Sequence, residues 1–567
     1  MSRRFFYLLL SFCILLSCSE KPGPDDGGGT GPDVPEGNVE VSIMANRLGY
    51  IPNPLSGWVI YVPLIDDVDR FWEEYENFSS SSGPVNVFDY GNVIYLRGSW
   101  TDFNPEEGVY IWQDGIDENK YPLARSLRLF EEGAKARGLK LAFTLKTDSR
   151  DANANCTPQF VKDKMDAAYG PDAAGNLTND GVHTPGKGYF NFTLGSVPRH
   201  YWSPYSDDPI FQEEYEKFIN ALAAEYDDPE KTEFISGLGM GKWGEYHTCV
   251  YSTGDATPKI PVFNWVTDTY INAFKRIPCF TNYHKMVGTI VGEGRGDPDS
   301  ENMLVSAIEK GFCMRHDAFG MRAETFGYAT WEKKFIANWT YKVPVAGEGG
   351  WIVNQGGYDE NGNPKNYLTQ YAGPRELRQG EYEDMHSAYV NMMDLRYDAS
   401  YVSGETWSWF NDAFDLVEKF VNEDCYRIYP DKVSIPAAMT NGREYTVQHR
   451  WLNLGHAYCP TNIKPFKDRF KVAVAVMDSE SGEIVGDNIF FDENAHPHDW
   501  TGGRSSYELK IVPDAIPAGS YDFCIGIVDL ALGNPDAGDY RIGINIAAQG
   551  DYTAGGWLKL GKVTVAE

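Results

Sequence analysis

Basic residues are in short supply in this 567-residue chain: 50 Lys and Arg stand against 81 Asp and Glu, a formal net charge of −31. Charge of that sign repels polyphosphate backbones and acidic headgroups, which argues against nucleic acid and anionic lipid surfaces as partners. Cysteine is sparse as well. Beyond Cys13 and Cys18 there are Cys156, Cys249, Cys279, Cys313, Cys425, Cys459 and Cys524, with no Cys-x-x-Cys pair among them. A zinc site is therefore not expected, nor any other metal or cofactor, and the odd count leaves at least one thiol free even in an oxidising compartment. Beyond the N-terminal segment no apolar stretch reaches the roughly 20 residues that a bilayer-spanning helix needs. No short-period repeat is evident.

Aromatic residues, by contrast, are plentiful: 15 Trp and 35 Tyr lean towards carbohydrate, whose C–H faces stack on aromatic rings. At the N-terminus, Arg3 and Arg4 precede an apolar run over residues 5–16. The run is too short to span a bilayer and has the layout of a secretory signal. Leu15-Leu16-Ser17-Cys18 resembles the lipobox of bacterial lipoproteins, in which the cysteine becomes the lipidated first residue. The alternative is an ordinary signal peptide with an incidental cysteine. Residues 18–39 are rich in Gly, Pro and Asp, cannot bury a core, and read as a flexible tether. The expectation is a signal peptide over 1–17 and an outer-membrane lipid anchor through Cys18. The protein would then be a cell-envelope lipoprotein, periplasmic or surface-exposed.

The folded part is organised around Phe234-Ile-Ser-Gly-Leu-Gly-Met-Gly-Lys-Trp-Gly-Glu-Tyr-His247. Its glycines do not suit a helix, where each is less favourable than Ala by roughly 1 kcal/mol, but they suit a buried strand running into a tight loop. Residues 209–228 before it show Phe211, Tyr215, Phe218, Ile219 and Leu222 at helical spacing. Helix, buried strand and polar tip make a parallel α/β unit. Strands are expected at 57–62, 93–98, 139–146, 234–239, 286–291, 312–315, 343–347 and 400–404. Helices are expected at 121–137, 264–277, 300–310, 325–339 and 383–396. Eight such units over residues 40–430 indicate a (β/α)8 TIM barrel, whose longest insertion, 148–208, shapes the rim. From 431 to 567 the pattern changes to alternation with turn signals: 444–452, 470–477, 507–512, 520–528, 541–547 and 557–565. That indicates an antiparallel β-sandwich, either carbohydrate-binding or, the better expectation, a buttress for the barrel.

Arg97-Gly-Ser-Trp-Thr-Asp-Phe-Asn-Pro-Glu-Glu-Gly-Val-Tyr-Ile-Trp112 follows the second strand. It resembles the stretch after strand two in β-galactosidase-like barrels of glycoside hydrolase clan A. That resemblance implies an acid/base Glu after strand four and a nucleophile Glu after strand seven, positions occupied here by Glu245 and Glu348. It also implies a strand-eight Trp flooring the sugar subsite, for which Trp407 or Trp409 qualifies. The Gly-x-Trp-Gly-Glu-x-His motif with a sandwich behind it is similar to an uncharacterised family of secreted bacterial proteins, which brings no settled activity. Clan A carries Asn immediately before the acid/base, where it contacts the sugar 2-hydroxyl; this chain has Gly244. Either His247 or Arg97 supplies that contact, or Glu245 does something else. Trp451-Leu-Asn-Leu-Gly455 resembles a turn of appended sandwich domains.

Two carboxyls converging on a barrel mouth match retaining glycoside hydrolysis, which needs them about 5–5.5 Å apart. The expected function is a surface-tethered, retaining glycoside hydrolase acting on a polysaccharide or oligosaccharide. Glu245 and Glu348 would be catalytic, with Arg97, Trp243, His247, His316 and Trp407 contacting substrate. Arg97 would hold the nucleophile ionised. The alternative is a non-catalytic glycan-binding lipoprotein on a degenerate barrel. Asp148, Glu293, Asp317 and Glu405 also sit at strand ends, where a carboxylate can simply cap a helix or pair with Arg. His247, His316 and Trp243 suit a structural role equally well. Residues 297–301 resemble a calcium loop less than a helix start capped by Asp299 or Ser300.

Overall fold

Eight parallel strands close into a barrel in the computed structural model: Gly57–Pro63, Val93–Ser99, Lys140–Lys146, Thr232–Gly239, Cys279–Asn282, Cys313–Phe319, Val345–Gly349 and Met392–Arg396. They are strands one to eight in chain order. The structure describes residues 34–149, 154–170, 175–178, 181–192, 198–290, 298–321, 328–350, 371–397 and 404–566. Strand eight pairs with strand one and strand three with strand four, which leaves no free edge in the barrel. The strands are short and almost wholly buried, as parallel strands must be when helices cover their outer face. Helix Pro209–Tyr226 shows how local sequence fixes a unit. Asp208 caps it by accepting from the backbone N–H groups of Ile210 and Phe211, Pro209 sits at its first turn, and its buried Tyr215 donates to the Leu238 carbonyl of strand four. No helix among the described residues is long and apolar enough to cross a membrane.

Two strands lie elsewhere than the apolar pattern predicts. Strand five is Cys279–Asn282, not 286–291. The run Met286-Val-Gly-Thr-Ile290 is apolar because it folds as a turn under the loop of strand four, where the Gly288 N–H donates to the Tyr246 carbonyl. Burial there comes from loop packing, not from a sheet. Strand eight is Met392–Arg396, and the helix expected over 383–396 is Pro374–Ser387. Met392, Met393 and Leu395 extend the helical pattern in sequence, but Tyr389 at φ +54° breaks the helix and turns the chain back into the barrel. Residues 400–403 of the expected eighth strand lie outside the described residues.

The insertion after strand three holds a four-stranded antiparallel sheet, Asn176–Thr178, Gly181–Thr184, Gly188–Phe192 and Pro198–Pro204. Behind the barrel two sheets face each other. One orders Asn38–Ser42, Ile428–Pro436, Tyr445–Asn453 and Ser505–Ile511; the other holds Ala438–Thr440, Leu558–Ala566, Gly519–Asn534, Phe470–Met477 and Ile484–Asp492, with Asp539–Ile544 also paired to Gly519–Asn534. Pairing is antiparallel except for the short strand Ala438–Thr440. Pro430 and Pro436 hide Ile428–Pro436 from a propensity reading, and its register slips beside Pro430. The N-terminal strand Asn38–Ser42 joins the sandwich sheet, and the buried Arg427 donates to the carbonyls of Asn46, Leu48 and Gly49. In the Trp451-x-Asn-x-Gly turn, Asn453 accepts from the N–H groups of Arg427 and Gly455. A Cβ at Gly455 would overlap the Cys425 carbonyl, so the turn is pressed against the end of the barrel chain. One apolar core runs from the barrel into the sandwich. All seven cysteines of the folded part are buried thiols.

Candidate active site

The loop leaving strand four carries five left-handed residues within eight positions. Gly241 and Gly244 have φ of +68° and +80°, and Trp243, Tyr246 and Thr248 are also left-handed at +58°, +59° and +53°. A non-glycine residue there is strained by about 1 kcal/mol or more, so the surroundings must hold it. They do: the Tyr246 N–H donates to the Met240 carbonyl, Lys242 to His247, and Trp243 to Asp148. Lys242, itself buried, salt-bridges Asp148 at 2.6 Å and donates to the Tyr189 hydroxyl at 3.0 Å, while Ser203 donates to the other Asp148 oxygen. The inserted sheet thus clamps the loop. Gly244 has a steric reason as well, because a Cβ there would overlap the Leu145 carbonyl oxygen of strand three.

The loop delivers Glu245 to the barrel mouth with only 12 % of its side chain exposed. Arg97 of strand two stands 3.8 Å from one carboxyl oxygen and His247 Nε2 lies 3.2 Å from the other. The Arg97 guanidinium also donates to the Tyr61 hydroxyl and, at 3.0 Å, to the Trp243 carbonyl. From strand six comes Asp317, hydrogen-bonded to Glu245. Carboxyl oxygens of Glu245 and Asp317 and a ring nitrogen of His247 all lie within 4.8 Å of one another. Burial and the negative charge of Asp317 push the Glu245 carboxyl well above its usual range, against the pull of Arg97 and Arg315. That setting favours the protonated form of the Glu245 carboxyl.

Glu348, at the end of strand seven, is in a different setting. Arg315 of strand six salt-bridges one oxygen, and Arg396 of strand eight reaches the other at 2.5 Å. Asp394 holds Arg396 Nε at 2.9 Å and accepts from the Gly349 N–H at 3.0 Å. Two guanidiniums favour a charged carboxylate. Arg97 is the arginine that the sequence suggests for holding the nucleophile; the structure puts Arg97 beside Glu245 and gives Glu348 to Arg315 and Arg396. Asn282, at the tip of strand five, connects the two halves, accepting from Arg315 at 2.7 Å and donating to Asp317 at 2.8 Å.

No family model matches the chain, and no curated protein does. Among solved structures it is similar to endo-glycoceramidase II from Rhodococcus sp., at 12% identity and a TM-score of 0.36, over 82% of this chain and 100% of that one. It is also similar to exo-beta-1,4-mannosidase Op5Man5 from Opitutaceae bacterium strain TAV5, at 11% identity and a TM-score of 0.36, over 65% of this chain and 61% of that one. Likenesses this distant carry no weight for the chemistry. That rests on the geometry of the mouth.

The other expected site residues divide. Trp243 and His247 sit beside Glu245, with ring centroids 5.7 Å apart. His316 is buried among Tyr283, Phe319 and Tyr328, its Nδ1 accepts from the Ala318 N–H, and burial pulls its imidazole down to about 3. Trp407 lies half-buried on helix Glu405–Asp412, and no described contact joins it to Glu245 or Glu348. Trp409 is core, packed edge-on against Trp58. Glu405 pairs with the buried Arg378, and Glu293 lies outside the described residues, as does Cys18. Helix Asp299–Lys310 begins without the expected side-chain cap; Asp299 pairs instead with Lys259 and Ser300 donates to the Lys285 carbonyl.

Glu245, His247 and Asp317 have the spacing of metal ligands. The guanidiniums of Arg97 and Arg315 alongside oppose a further positive charge there. Sequence reasoning does not single out Arg315, Asp317, Asp394, Arg396 and Asn282 as partners. Their signal is a charge at every second residue of an apolar strand, Arg315-x-Asp317 and Asp394-x-Arg396, which period-two geometry puts on one face.

Proposed function

We propose that this protein is a retaining glycoside hydrolase acting on a polysaccharide or oligosaccharide, with Glu245 as acid/base and Glu348 as nucleophile. One observation carries the reading: the barrel mouth holds a buried carboxyl, Glu245, whose setting favours its protonated form, and a second, Glu348, clamped by two guanidiniums. Retention needs that difference. A Glu348 oxygen attacks the anomeric carbon while the Glu245 proton passes to the departing glycosidic oxygen. Water then attacks the glycosyl ester as Glu245 takes a proton from it. The near-complete burial of Glu348, with both oxygens engaged by arginine, favours a second reading, a glycan-binding protein on a degenerate barrel.

A panel of activated 2-deoxy-2-fluoro glycosides separates the two. Slow hydrolysis of the trapped ester is expected to leave one sugar covalently attached to Glu348, read by peptide mass spectrometry. Glycan binding with neither adduct nor turnover on any member would sink the hydrolase reading. The envelope anchor belongs to the same proposal and rests on the lipobox ending at Cys18. Cys18→Ala is expected to move the protein from the membrane to the soluble fraction; a variant that stays with the membrane while wild type carries no lipid would rule the anchor out.

A further inference from the structure

We propose that Lys242 is the positioning residue of the acid/base: its buried ammonium ties the strained loop that presents Glu245 to the sheet inserted after strand three, so that proton donation, and not nucleophilic attack, depends on that insertion. The inference rests on Glu245 being the acid of the proposed reaction, but whether Lys242 holds the loop is readable without any substrate.

The contacts converge on one carboxylate. Asp148, just beyond strand three, is buried, and Lys242 Nζ meets its Oδ2 at 2.6 Å. Tyr189 donates to the same oxygen, and Ser203 donates to Oδ1 at 2.9 Å. Tyr189 and Ser203 are register partners on the adjacent strands Gly188–Phe192 and Pro198–Pro204. Residues directly opposite share one face of a sheet, so the insertion presents two hydroxyls to Asp148 at once. The Lys242 ammonium also donates to the Tyr189 hydroxyl at 3.0 Å and lies 4.7 Å from the centre of its ring.

Asp148 grips the loop twice. Its carboxylate takes the Lys242 side chain, and its carbonyl accepts from the Trp243 N–H at 3.1 Å. The Lys242 N–H donates to the His247 carbonyl at 2.9 Å, which closes the turn around Glu245. The Trp243 carbonyl in turn accepts from Arg97 at 3.0 Å, and Arg97 stands 3.8 Å from Glu245. A shift at Lys242 is therefore passed both to Glu245 and to the guanidinium that faces it.

Stability alone does not explain a lysine buried in this way. Desolvating two charges offsets most of their attraction, so a buried ion pair adds little net stability; what it supplies here is a fixed geometry. The loop needs one, because Trp243, Tyr246 and Thr248 are left-handed and only the surroundings keep them so. Glu348 is held from elsewhere, by Arg315 of strand six and Arg396 of strand eight. Loosening the loop thus displaces the proton donor and leaves the attacking carboxylate in place.

A series of glycosides of one sugar, with leaving groups from dinitrophenolate to simple alkoxides, tests the assignment. On each, kcat/KM reports formation of the glycosyl ester, the step in which Glu245 gives up its proton. Lys242→Met keeps the length of the side chain and removes its charge. Its kcat/KM on alkyl glycosides is expected to fall on the order of 10²-fold, the effect of a displacement of about 1 Å. The dinitrophenyl glycoside, whose leaving group needs no proton, is expected to react close to the wild-type rate. Tyr189→Phe, which acts from the sheet side, should show the same trend more weakly. A fall of equal size on every substrate would mark a merely structural role and overturn the proposal, as would wild-type rates throughout. Hydrogen exchange on the full chain, read by mass spectrometry, supplies the substrate-free measurement. Amides of residues 240–248 are expected to exchange faster in both variants while strands one and two stay unchanged; wild-type exchange in the loop would overturn the proposal as well. If Lys242→Met fails to fold, Tyr189→Phe decides. If wild type cleaves no glycoside, the hydrolase reading falls, and exchange alone decides whether Lys242 holds the loop.

Discussion

Alanine at 348 is expected to abolish turnover of every glycoside, activated or not, by a factor on the order of 10⁴ or more. The reason is that no glycosyl ester can form without the attacking carboxylate. Alanine at 245 is expected to fail differently. It removes proton transfer, worth about 10²–10⁴ in rate, and that matters least when the leaving group is already a stable anion. Cleavage of natural glycosides should collapse, while a dinitrophenyl glycoside should still form the intermediate. Azide added to the Glu245→Ala protein should then restore turnover, because a small anion in the vacated space attacks without a general base. The product would be a glycosyl azide with the anomeric configuration of the substrate. Two equally dead variants, with activated substrate and azide present, would refute the role assignment. Wild-type activity in both would move the site elsewhere, and Asp317 would be the next carboxylate to replace.

Asparagine at 244, the residue that clan A carries before its acid/base, is expected to damage this protein. Gly244 stands at φ +80° with no room for a Cβ against the Leu145 carbonyl oxygen. Asn tolerates the dihedral better than most residues, but the steric overlap with backbone remains, and overpacking of that kind destabilises by about 1–3 kcal/mol. Relief requires the loop to move off strand three, and Glu245 moves with it. A displacement near 1 Å costs an active site on the order of 10²-fold in rate. Gly244→Asn and Gly244→Ala should therefore both lower the melting temperature and the activity. A variant as stable and as active as wild type would mean that the loop is not held against strand three. The departure from the clan pattern thus has a steric reason, and it does not by itself mark lost catalysis.

Much of the architecture is legible without coordinates. Strands one to four, six and seven fall where the apolar runs put them, because a short run between helical patterns has few other uses in an α/β chain. Strand five defeats that logic: its four residues carry less apolar signal than the turn at 286–290, which is buried for a different reason. Strand eight defeats it too, since Met392, Met393 and Leu395 continue a helical spacing that only the reversal at Tyr389 interrupts. In the sandwich, alternation locates the strands that carry it, and prolines conceal Ile428–Pro436.

At the site, sequence alone brought Glu245, His247 and Trp243 together, because they are neighbours on one glycine-rich loop whose tip has to lie at the C-terminal end of a barrel strand. It likewise put Glu348 at such a tip. What it could not determine is who faces whom across the mouth. Arg97 partners Glu245 and not Glu348; Arg315 and Arg396, 33 and 48 residues from their partners Asn282 and Glu348, take the roles expected of Arg97. Those pairings come from barrel closure, which sets strand order, stagger and therefore which inward side chains meet at one height. No local pattern encodes that stagger. The upward shift of the Glu245 carboxyl is a tertiary property for the same reason: it depends on burial and on a carboxylate from strand six, and both exist only once the eight strands have closed.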